Sequence, residues 1–518
     1  MKPMTTSQII MAIVMFVYLA GMVVIGVYYS RRGSSSTKDF YLGGRKLGPL
    51  VTAMSAEASD MSSYLLMGLP GLAYFSGVAD VGWTVIGLTA GTYLNWLLVA
   101  KRIRIYSEEI DAITVPSFFS RRFGDDKNIL SCLAAIIIII FFIPYTASGF
   151  AAVGKLFNSL FGFDYMACML IGAAVIIIYT ILGGFLAVST TDLIQSIVMT
   201  ISLVVILWFS VSLAGGTGTV IDTASKVDGY LNFFRTANIA TGESGSYGFI
   251  SVISTLAWGL GYFGMPHILL RFMGTKDPKQ IKVSRRIASI WVIISMAIAV
   301  CIGIIGYVLS TQGTVELFDT SSAAEAIVVR IANVLSNHGV IAIIVSGLVL
   351  SGILAATMST ADSQLLAASS SVSEDILNGV FRFNLSKKAT MWVARISVIV
   401  IAIIAVIFAR DPNSSIFGIV SFAWAGFGAT FAPVVLCGLF WKRSNKWGAL
   451  AGMLSGAIMI FVWKYLVRPV GGAWDIYELL PAFIVAILFI IVVSLLTKAP
   501  DKEVTDTFDK VRAKIKSI

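Results

Sequence analysis

Long apolar segments separated by short polar loops recur along the whole chain. Each segment supplies roughly the 20 apolar residues that a helix needs to cross a bilayer. The segment at 338–374 is too long for one crossing, so we expect it to continue into the cytoplasm. The pattern predicts an all-α polytopic membrane protein with about thirteen transmembrane helices, at residues 8–29, 50–75, 78–100, 129–156, 164–184, 190–214, 247–271, 286–311, 338–374, 391–409, 415–441, 446–466 and 476–497.

Composition supports this prediction and excludes a soluble domain. Of the 518 residues 57% are hydrophobic and only 13% are charged, whereas soluble domains carry about 25% charged residues. The net charge of +10 is typical either of nucleic-acid binding or of basic loops on the cytoplasmic face of a membrane.

The positions of the basic residues favour the membrane explanation. When Lys and Arg are assigned to alternate loops, 30 of the 38 fall on one side. Cytoplasmic loops carry the excess of basic residues. We therefore expect a cell-membrane protein with its N-terminus outside and the tail 498–518 in the cytoplasm, and no nucleic-acid partner.

Buried carboxylates are the first functional signal. Glu57, Asp60, Asp192 and Asp362 fall in or beside apolar segments, and no Lys or Arg lies deep within the same segments. Ionisable groups inside a bilayer are costly, so each is a functional candidate. Carboxylates without a basic partner suit a bound cation or a proton. Asp192 is equally compatible with a helix N-cap.

Two apolar segments are interrupted by Gly and Pro. The first contains Glu57 and Asp60 among Ser and Ala residues, followed by Gly68-Leu69-Pro70-Gly71. The second, at 258–267, lies five spans later. Such pairs of interrupted helices mark the binding site of inverted-repeat transporters, where freed carbonyls coordinate cations. A packing face of small residues is the alternative for the first segment.

Aromatic and hydroxyl residues supply two further candidate surfaces. Trp258, Tyr262 and Pro266 are four residues apart and share one face of a helix, which is typical either of a small-ligand pocket or of ordinary packing. Ser359 and Thr360, beside Asp362, offer hard oxygen ligands for an alkali cation, or they bond to their own backbone. Tyr145, which follows Pro144, is equally compatible with contributing its hydroxyl to a binding site and with ordinary packing.

Six stretches of the sequence resemble the sodium/solute symporter family, and its proline branch in particular. The resemblance runs from about Ser7 to Pro500. The stretches are LGGRKLGP (42–49), ASDMSSYLLMGLPG (58–71), GGFLAVSTTD (183–192), WGLGYFGMPH (258–267), MSTADSQLL (358–366) and SFAWAGFGATFAPVVL (421–436).

This resemblance implies a LeuT-type core of five plus five helices in inverted repeat, with one extra helix before it and two after. The implied boundaries form a single transporter domain at 1–497. It consists of the first helix at 8–29, the repeats at 50–214 and 247–441, and the extra pair at 446–497.

The resemblance also implies roles for individual residues. The Na⁺ site would use backbone oxygens of Ala58, Met61 and Ala356 and the hydroxyls of Ser359 and Thr360. Asp60 would be needed for sodium-dependent transport, and Arg45 would act in coupling. A second Na⁺ region would involve Asp192, Asp362 and Ser363. Substrate contacts carry over to Ser62, Tyr145, Trp258, Tyr262 and Pro266.

Two positions depart from the proline branch. Glu57 stands where a small residue is expected, and Met265 replaces a polar residue beside Pro266. The implied function is Na⁺-coupled uptake of L-proline, with Na⁺ as the co-transported ion and no enzymatic activity, organic cofactor or obligatory protein partner. A Na⁺- or H⁺-coupled symporter of another small solute or osmolyte is the first alternative, and an ion channel is an alternative from another class.

Overall fold

The computed structural model describes residues 4–30, 37–182, 184–383 and 385–517, and almost all of its regular structure is helical. The first half of the chain forms helices α1 to α11, at Thr6–Ser30, Thr37–Leu42, Pro49–Ser63, Leu69–Ser76, Val78–Leu94, Lys101–Glu109, Val115–Phe123, Ile129–Phe161, Tyr165–Leu182, Phe185–Leu213 and Thr217–Ala224.

The second half forms helices α12 to α22, at Phe249–Leu256, Pro266–Gly274, Ile281–Thr311, Ser321–Ala324, Ile327–Leu335, Val340–Ser370, Lys387–Phe408, Ile416–Phe440, Lys446–Val462, Leu479–Leu496 and Lys502–Ser517. A short antiparallel hairpin, β1 (Arg235–Ala237) and β2 (Ser244–Ser246), precedes α12.

Several of these helices are followed or preceded by short π-helical or 3₁₀ segments. Single π-helical segments follow α3, α5, α17 and α20, at Tyr64–Gly68, Asn95–Ala100, Ser371–Val380 and Trp463–Val467. Short 3₁₀ segments lie at Gly43–Arg45, Ala257–Gly264, Pro278–Gln280, Arg468–Val470 and Gly472–Trp474.

Ten helical runs among the described residues are long and apolar enough to cross a membrane, and the bent pair α12–α13 makes eleven. The polytopic all-α prediction is thereby confirmed, whereas the count of thirteen stays a prediction. The remaining two predicted spans correspond to α9 and to α3–α4, which form helices at the expected positions. Ser and Ala residues make α3 less apolar than a helix that faces lipid. This composition is compatible with its position, since α3 is almost wholly buried inside the protein.

The centre of the molecule is α17, which packs against α3, α8 and α10. Tight packing of α5 on the segment between α12 and α13 relies on glycine. A Cβ at Gly91 would lie 2.2 Å from the carbonyl oxygen of Gly259. This close approach holds the second interrupted segment against α5.

The C-terminal tail forms α22 with an apolar face directed at the protein. Phe508 and Val511 are buried, and the Phe508 ring lies 6.4 Å from that of Tyr106 at the end of α6. Lys510 forms an ion pair with Glu109. Helix α22 therefore packs against α6.

Candidate functional site

The first interrupted helix breaks at Ser62. This residue adopts φ 44° and ψ −172°, a left-handed conformation that is costly for a residue other than glycine. A π-helical turn at Tyr64–Gly68 follows, and α4 resumes with Pro70 in its first turn. The Tyr64 amide donates to the carbonyls of Met61 and Ser62, so the regular α-helical hydrogen-bond pattern is interrupted at this point.

A tryptophan from α19 binds the backbone of the second interrupted helix. The indole Nε1 of Trp424 donates a 2.7 Å hydrogen bond to the carbonyl of Trp258. A Cβ at Gly261 would lie only 1.9 Å from that same nitrogen. The chain runs here as a 3₁₀ segment before α13 starts at Pro266 with a bend of 46°.

The residues implied for the Na⁺ site lie together between α3 and α17. The Ser359 hydroxyl donates to the carbonyl of Ala58 at 2.7 Å and to that of Ala356 at 3.2 Å. The Thr360 hydroxyl lies 3.5 Å from the Ala58 carbonyl. Met61, one turn beyond Ala58, is fully buried. Hydroxyl and carbonyl oxygens of this kind are hard ligands that suit an alkali cation.

Asp60 connects this region to the second interrupted helix. The Tyr262 hydroxyl donates a 2.6 Å hydrogen bond to the Asp60 carboxylate, and the Tyr145 hydroxyl donates to the Asp60 carbonyl at 3.1 Å. Ser62 lies two residues farther along, where its hydroxyl accepts from the Tyr64 amide. Four of the residues implied by the resemblance therefore meet around the first helix break.

Trp258 belongs to an aromatic cluster that the sequence pattern only partly anticipates. Its ring lies 5.3 Å from Phe417, 6.0 Å from Tyr64 and 5.1 Å from Tyr477. Tyr477 comes from the segment before α21 and donates to the carbonyl of Ser421. Because Tyr477 is far from Trp258 along the chain, the sequence gives no signal of their contact.

Asp192 differs from its sequence-based interpretation in two ways. Helix α10 begins at Phe185, so Asp192 lies two turns inside it and is not an N-cap. It is also not without a basic partner, because the guanidinium of Arg271 lies 3.2 Å away and the Ser55 hydroxyl donates to it at 2.6 Å. The predicted segment 247–271 ends at Arg271, so the pattern gives no sign of a buried arginine, whereas α13 continues to Gly274.

Arg271 also donates to the hydroxyl of Ser363, which lies 3.3 Å from the Asp362 carboxylate. Asp192, Asp362 and Ser363 are thus gathered around one guanidinium, and all three are fully buried. One Oδ of each aspartate has no hydrogen-bond partner in the described part of the chain. A single cation faces two carboxylates here.

Arg45 ties three segments together at the end of the molecule where α3 begins. Its guanidinium donates to the Ser107 hydroxyl and to the carbonyls of Ala112 and Met273. Burial, together with the nearby cation of Arg104, lowers the pKa of Arg45 to about 10, so the side chain stays charged near neutral pH. An adjacent bridge pairs Leu47 with Thr275.

Glu57 is buried beside the same helix break. The indole of Trp96 donates to its Oε1 at 2.8 Å, and the second oxygen has no partner among the described residues. Met265 is fully buried at the start of α13. The apolar side chain of Met265 is therefore part of the core rather than a polar contact.

Two interrupted helices that meet around buried oxygen atoms are typical of secondary transporters, and comparison with known proteins identifies the class. A model of the sodium:solute symporter family matches residues 40–456. The chain belongs to this family of transporters and is not an enzyme. The high-affinity proline transporter PutP of Bacillus subtilis is 42% identical over 94% of this chain and 98% of its own. A sodium/proline symporter of Haemophilus influenzae is 42% identical over 95% and 96%.

Solved structures share the fold. A Na⁺-coupled sialic acid symporter in a substrate-bound outward-open state superposes with a TM-score of 0.77 at 21% identity, covering 95% of this chain and 99% of that one. The nucleobase-cation-symport-1 family transporter Mhp1 gives 0.53 at 15% identity over 91% and 98%. These similarities confirm the LeuT-type fold that the resemblance implied.

Proposed function

We propose that this protein carries L-proline into the cell together with Na⁺ by alternating access. The observation that carries the proposal is the meeting of the two interrupted helices at Asp60 and Tyr262 beside the Ser359–Ala58 contact. The relatives named as proline transporters or sodium/proline symporters cover nearly the whole chain. An ion channel is disfavoured because the matching family model and the relatives named above are those of transporters.

Na⁺ is the co-transported ion in this proposal and binds between α3 and α17. Its ligands are the carbonyls of Ala58, Met61 and Ala356 and the hydroxyls of Ser359 and Thr360. When Na⁺ enters, the two hydroxyls turn their lone pairs to the ion and release their hydrogen bonds to carbonyls. The same carbonyls then gain the ion as their partner, so α3 and α17 remain joined.

Proline suits the space beside this ion. Its ring is a compact apolar group that would pack on Trp258 and Tyr262, next to Pro266. Its carboxylate would meet amide groups freed at the break near Ser62, where helix ends favour anions. Tyr145 would orient the substrate from α8. These assignments explain why an aromatic wall and a broken helix occur side by side.

The driving force is sufficient for accumulation. One Na⁺ crossing a potential of about 100 mV releases about 2.3 kcal/mol. A roughly tenfold Na⁺ gradient adds about 1.4 kcal/mol. The sum of about 3.7 kcal/mol supports a gradient of several hundred-fold in the substrate. Coupling requires that Na⁺ and proline raise each other's affinity.

The cluster around Arg271 supports a second Na⁺ region at Asp192, Asp362 and Ser363. One guanidinium balances only one of the two carboxylates, so an additional cation would neutralise the other. Arg45 would act in coupling because it fastens the start of α3 to the ends of the neighbouring runs.

The orientation is also part of the proposal: the N-terminus lies outside and α22 lies in the cytoplasm. The excess of Lys and Arg on one side supports it. An epitope placed after residue 518 should be reached by antibody in inverted but not in right-side-out membrane vesicles. The reverse labelling would contradict this topology.

The transport proposal is tested by uptake of labelled L-proline into proteoliposomes of the purified protein. An inward Na⁺ gradient should drive accumulation, and a K⁺ gradient of the same size should not. Asp60→Ala should abolish the Na⁺-driven component. Uptake that is indifferent to Na⁺, or driven equally by an inward H⁺ gradient alone, would overturn the proposal.

A further inference from the structure

Four buried oxygen atoms on α3, on α5 and on the π-helical segment that follows α5 have no hydrogen-bond partner in the described part of the chain. They are Glu57 Oε2, Asp60 Oδ1, Thr92 Oγ1 and Asn95 Oδ1. The exposed fraction of each residue is 5% or less. Buried polar atoms are nearly always satisfied in native structures, so a group of four requires an explanation.

Two shared neighbours hold these residues in one place. Glu57 and Asp60 are three residues apart on α3 and therefore lie on the same face. Trp96 binds Glu57 from the helical run that also carries Thr92 and Asn95. Thr92 and Asn95 are likewise three residues apart, so the oxygens come from two facing helical surfaces.

Tyr262 closes the group from the second interrupted helix. Its hydroxyl binds the Asp60 carboxylate at 2.6 Å, while its carbonyl accepts from the Asn95 amide at 2.9 Å. Thr92 lies four residues before Trp96, which binds Glu57, and therefore on the same face of that helical run. The bond from its amide nitrogen fixes the Asn95 side chain beside Tyr262, and its oxygen is not used by any hydrogen bond among the described residues.

This group is separate from the Ser359 region. The ligands there are carbonyls of α3 and hydroxyls of α17, whereas Glu57 and Asp60 direct their side chains to Trp96 and Tyr262. No Lys or Arg of the described ranges forms an ion pair with either carboxylate. Two buried like charges without a counter-ion are strongly unfavourable.

We propose that Glu57, Asp60, Thr92 and Asn95 form an additional Na⁺ site. The proposal rests on the Na⁺-coupled transport proposed above and adds a binding site to it. A metal ion would satisfy four oxygen acceptors at once, whereas a proton shared by the two carboxylates would leave Thr92 and Asn95 unsatisfied. Ca²⁺ prefers six to eight oxygens, more than the four present, so a monovalent ion fits better.

The test is equilibrium binding of ²²Na⁺ to the purified full-length protein without proline. Glu57→Gln should bind one Na⁺ fewer per protein than the wild type. Asp375→Asn is the matched control, since Asp375 is also a buried carboxylate but bonds to Thr114 and Ser131, away from this site. It should bind as many Na⁺ as the wild type. An unchanged count in Glu57→Gln would overturn the proposal.

A second variant protects the test against misfolding. Thr92→Val keeps the shape and both carboxylates, and should weaken one Na⁺ binding step about tenfold while the protein stays monodisperse. If Glu57→Gln cannot be purified, wild-type affinity in Thr92→Val overturns the proposal. Ser359→Ala should remove a different Na⁺ and leave the Glu57-dependent one. Because no proline is present, failure of proline uptake with intact binding would refute only the transport proposal.

Discussion

The hydroxyl of Tyr262 and the carboxylate of Asp60 are joined by a 2.6 Å hydrogen bond across 202 residues of sequence. Each residue lies at the interruption of its own helix, and both are buried. The bond is therefore a direct link between the two broken segments. Tyr262 and Trp258 lie in the same 3₁₀ segment, so a change around the Asp60 carboxylate would act on that segment directly through Tyr262.

Removing the Tyr262 hydroxyl should weaken the coupling between Na⁺ and proline, while the aromatic ring stays in the core. A hydrogen bond to a charged group contributes about 1.5–3 kcal/mol, so Tyr262→Phe should raise the Na⁺ concentration for half-maximal uptake roughly tenfold or more. Uptake of labelled proline against Na⁺ concentration measures the change. Tyr93→Phe, on the outer face of α5, is the control and should match the wild type. Equal Na⁺ dependence in both variants would contradict the role of the bond.

Ser359 should be far more sensitive than a neighbouring serine of the same helix. Its hydroxyl bonds across to Ala58 of α3, whereas that of Ser351 bonds only to its own helix at Gly347. Loss of one oxygen ligand from an ion should cost about 1.5–3 kcal/mol, or roughly 10- to 100-fold in Na⁺ affinity. Na⁺ titration of uptake should show this shift in Ser359→Ala. A shift of similar size in Ser351→Ala would indicate a general packing effect instead.

Trp258 should determine affinity for the substrate rather than for the ion. Trp258→Ala removes the central ring of the aromatic cluster and should raise the KM for proline at least about tenfold, with a smaller rise in Trp258→Phe. Initial rates at saturating Na⁺ measure the effect. Trp208, 72% exposed on α10, provides the control, since Trp208→Ala should leave the KM unchanged. An unaltered KM in Trp258→Ala would remove this residue from the binding site.

Arg271 should be essential for stability because Asp192 is fully buried beside it. Breaking a buried ion pair costs about 3–5 kcal/mol, since an uncompensated charge remains. Arg271→Ala should therefore lower the thermal transition of the detergent-solubilised protein strongly, and the double variant with Asp192→Asn should recover part of the loss. Arg286→Ala, on the exposed face of α14, should have little effect. A double variant no more stable than Arg271→Ala would argue against the pair.

The sequence pattern located the helices well because hydropathy and membrane thickness both act locally. The predicted segment at 129–156 corresponds to Ile129–Phe161, and the one at 415–441 to Ile416–Phe440. Helix ends inside the protein were less accurate. The predicted segment containing Asp192 begins at residue 190, after a stretch rich in Gly, Ser and Thr. The helix begins at Phe185, because its first turn, with Phe185 and Val188, is apolar and buried in the protein.

Candidate site residues were predictable where the local sequence pattern is unusual and unpredictable where it is ordinary. Asp60, Trp258 and Ser359 stand in unusual local patterns. Trp96 and Tyr477 stand in ordinary ones, and only the fold brings them to Glu57 and Trp258. Long-range contacts of this kind leave no trace in hydropathy or spacing.

The backbone at Ser62 has a consequence for the energetics of transport. A serine held at φ 44° carries about 1–3 kcal/mol of conformational strain. Glycine would remove that strain, but this chain has serine there. Contacts on both sides of the break must therefore hold it, and a bound ion and substrate would add to them. If ion and substrate bind here as proposed, they would supply polar contacts at the point where α3 is interrupted, and so stabilise a backbone conformation that the polypeptide alone holds under strain.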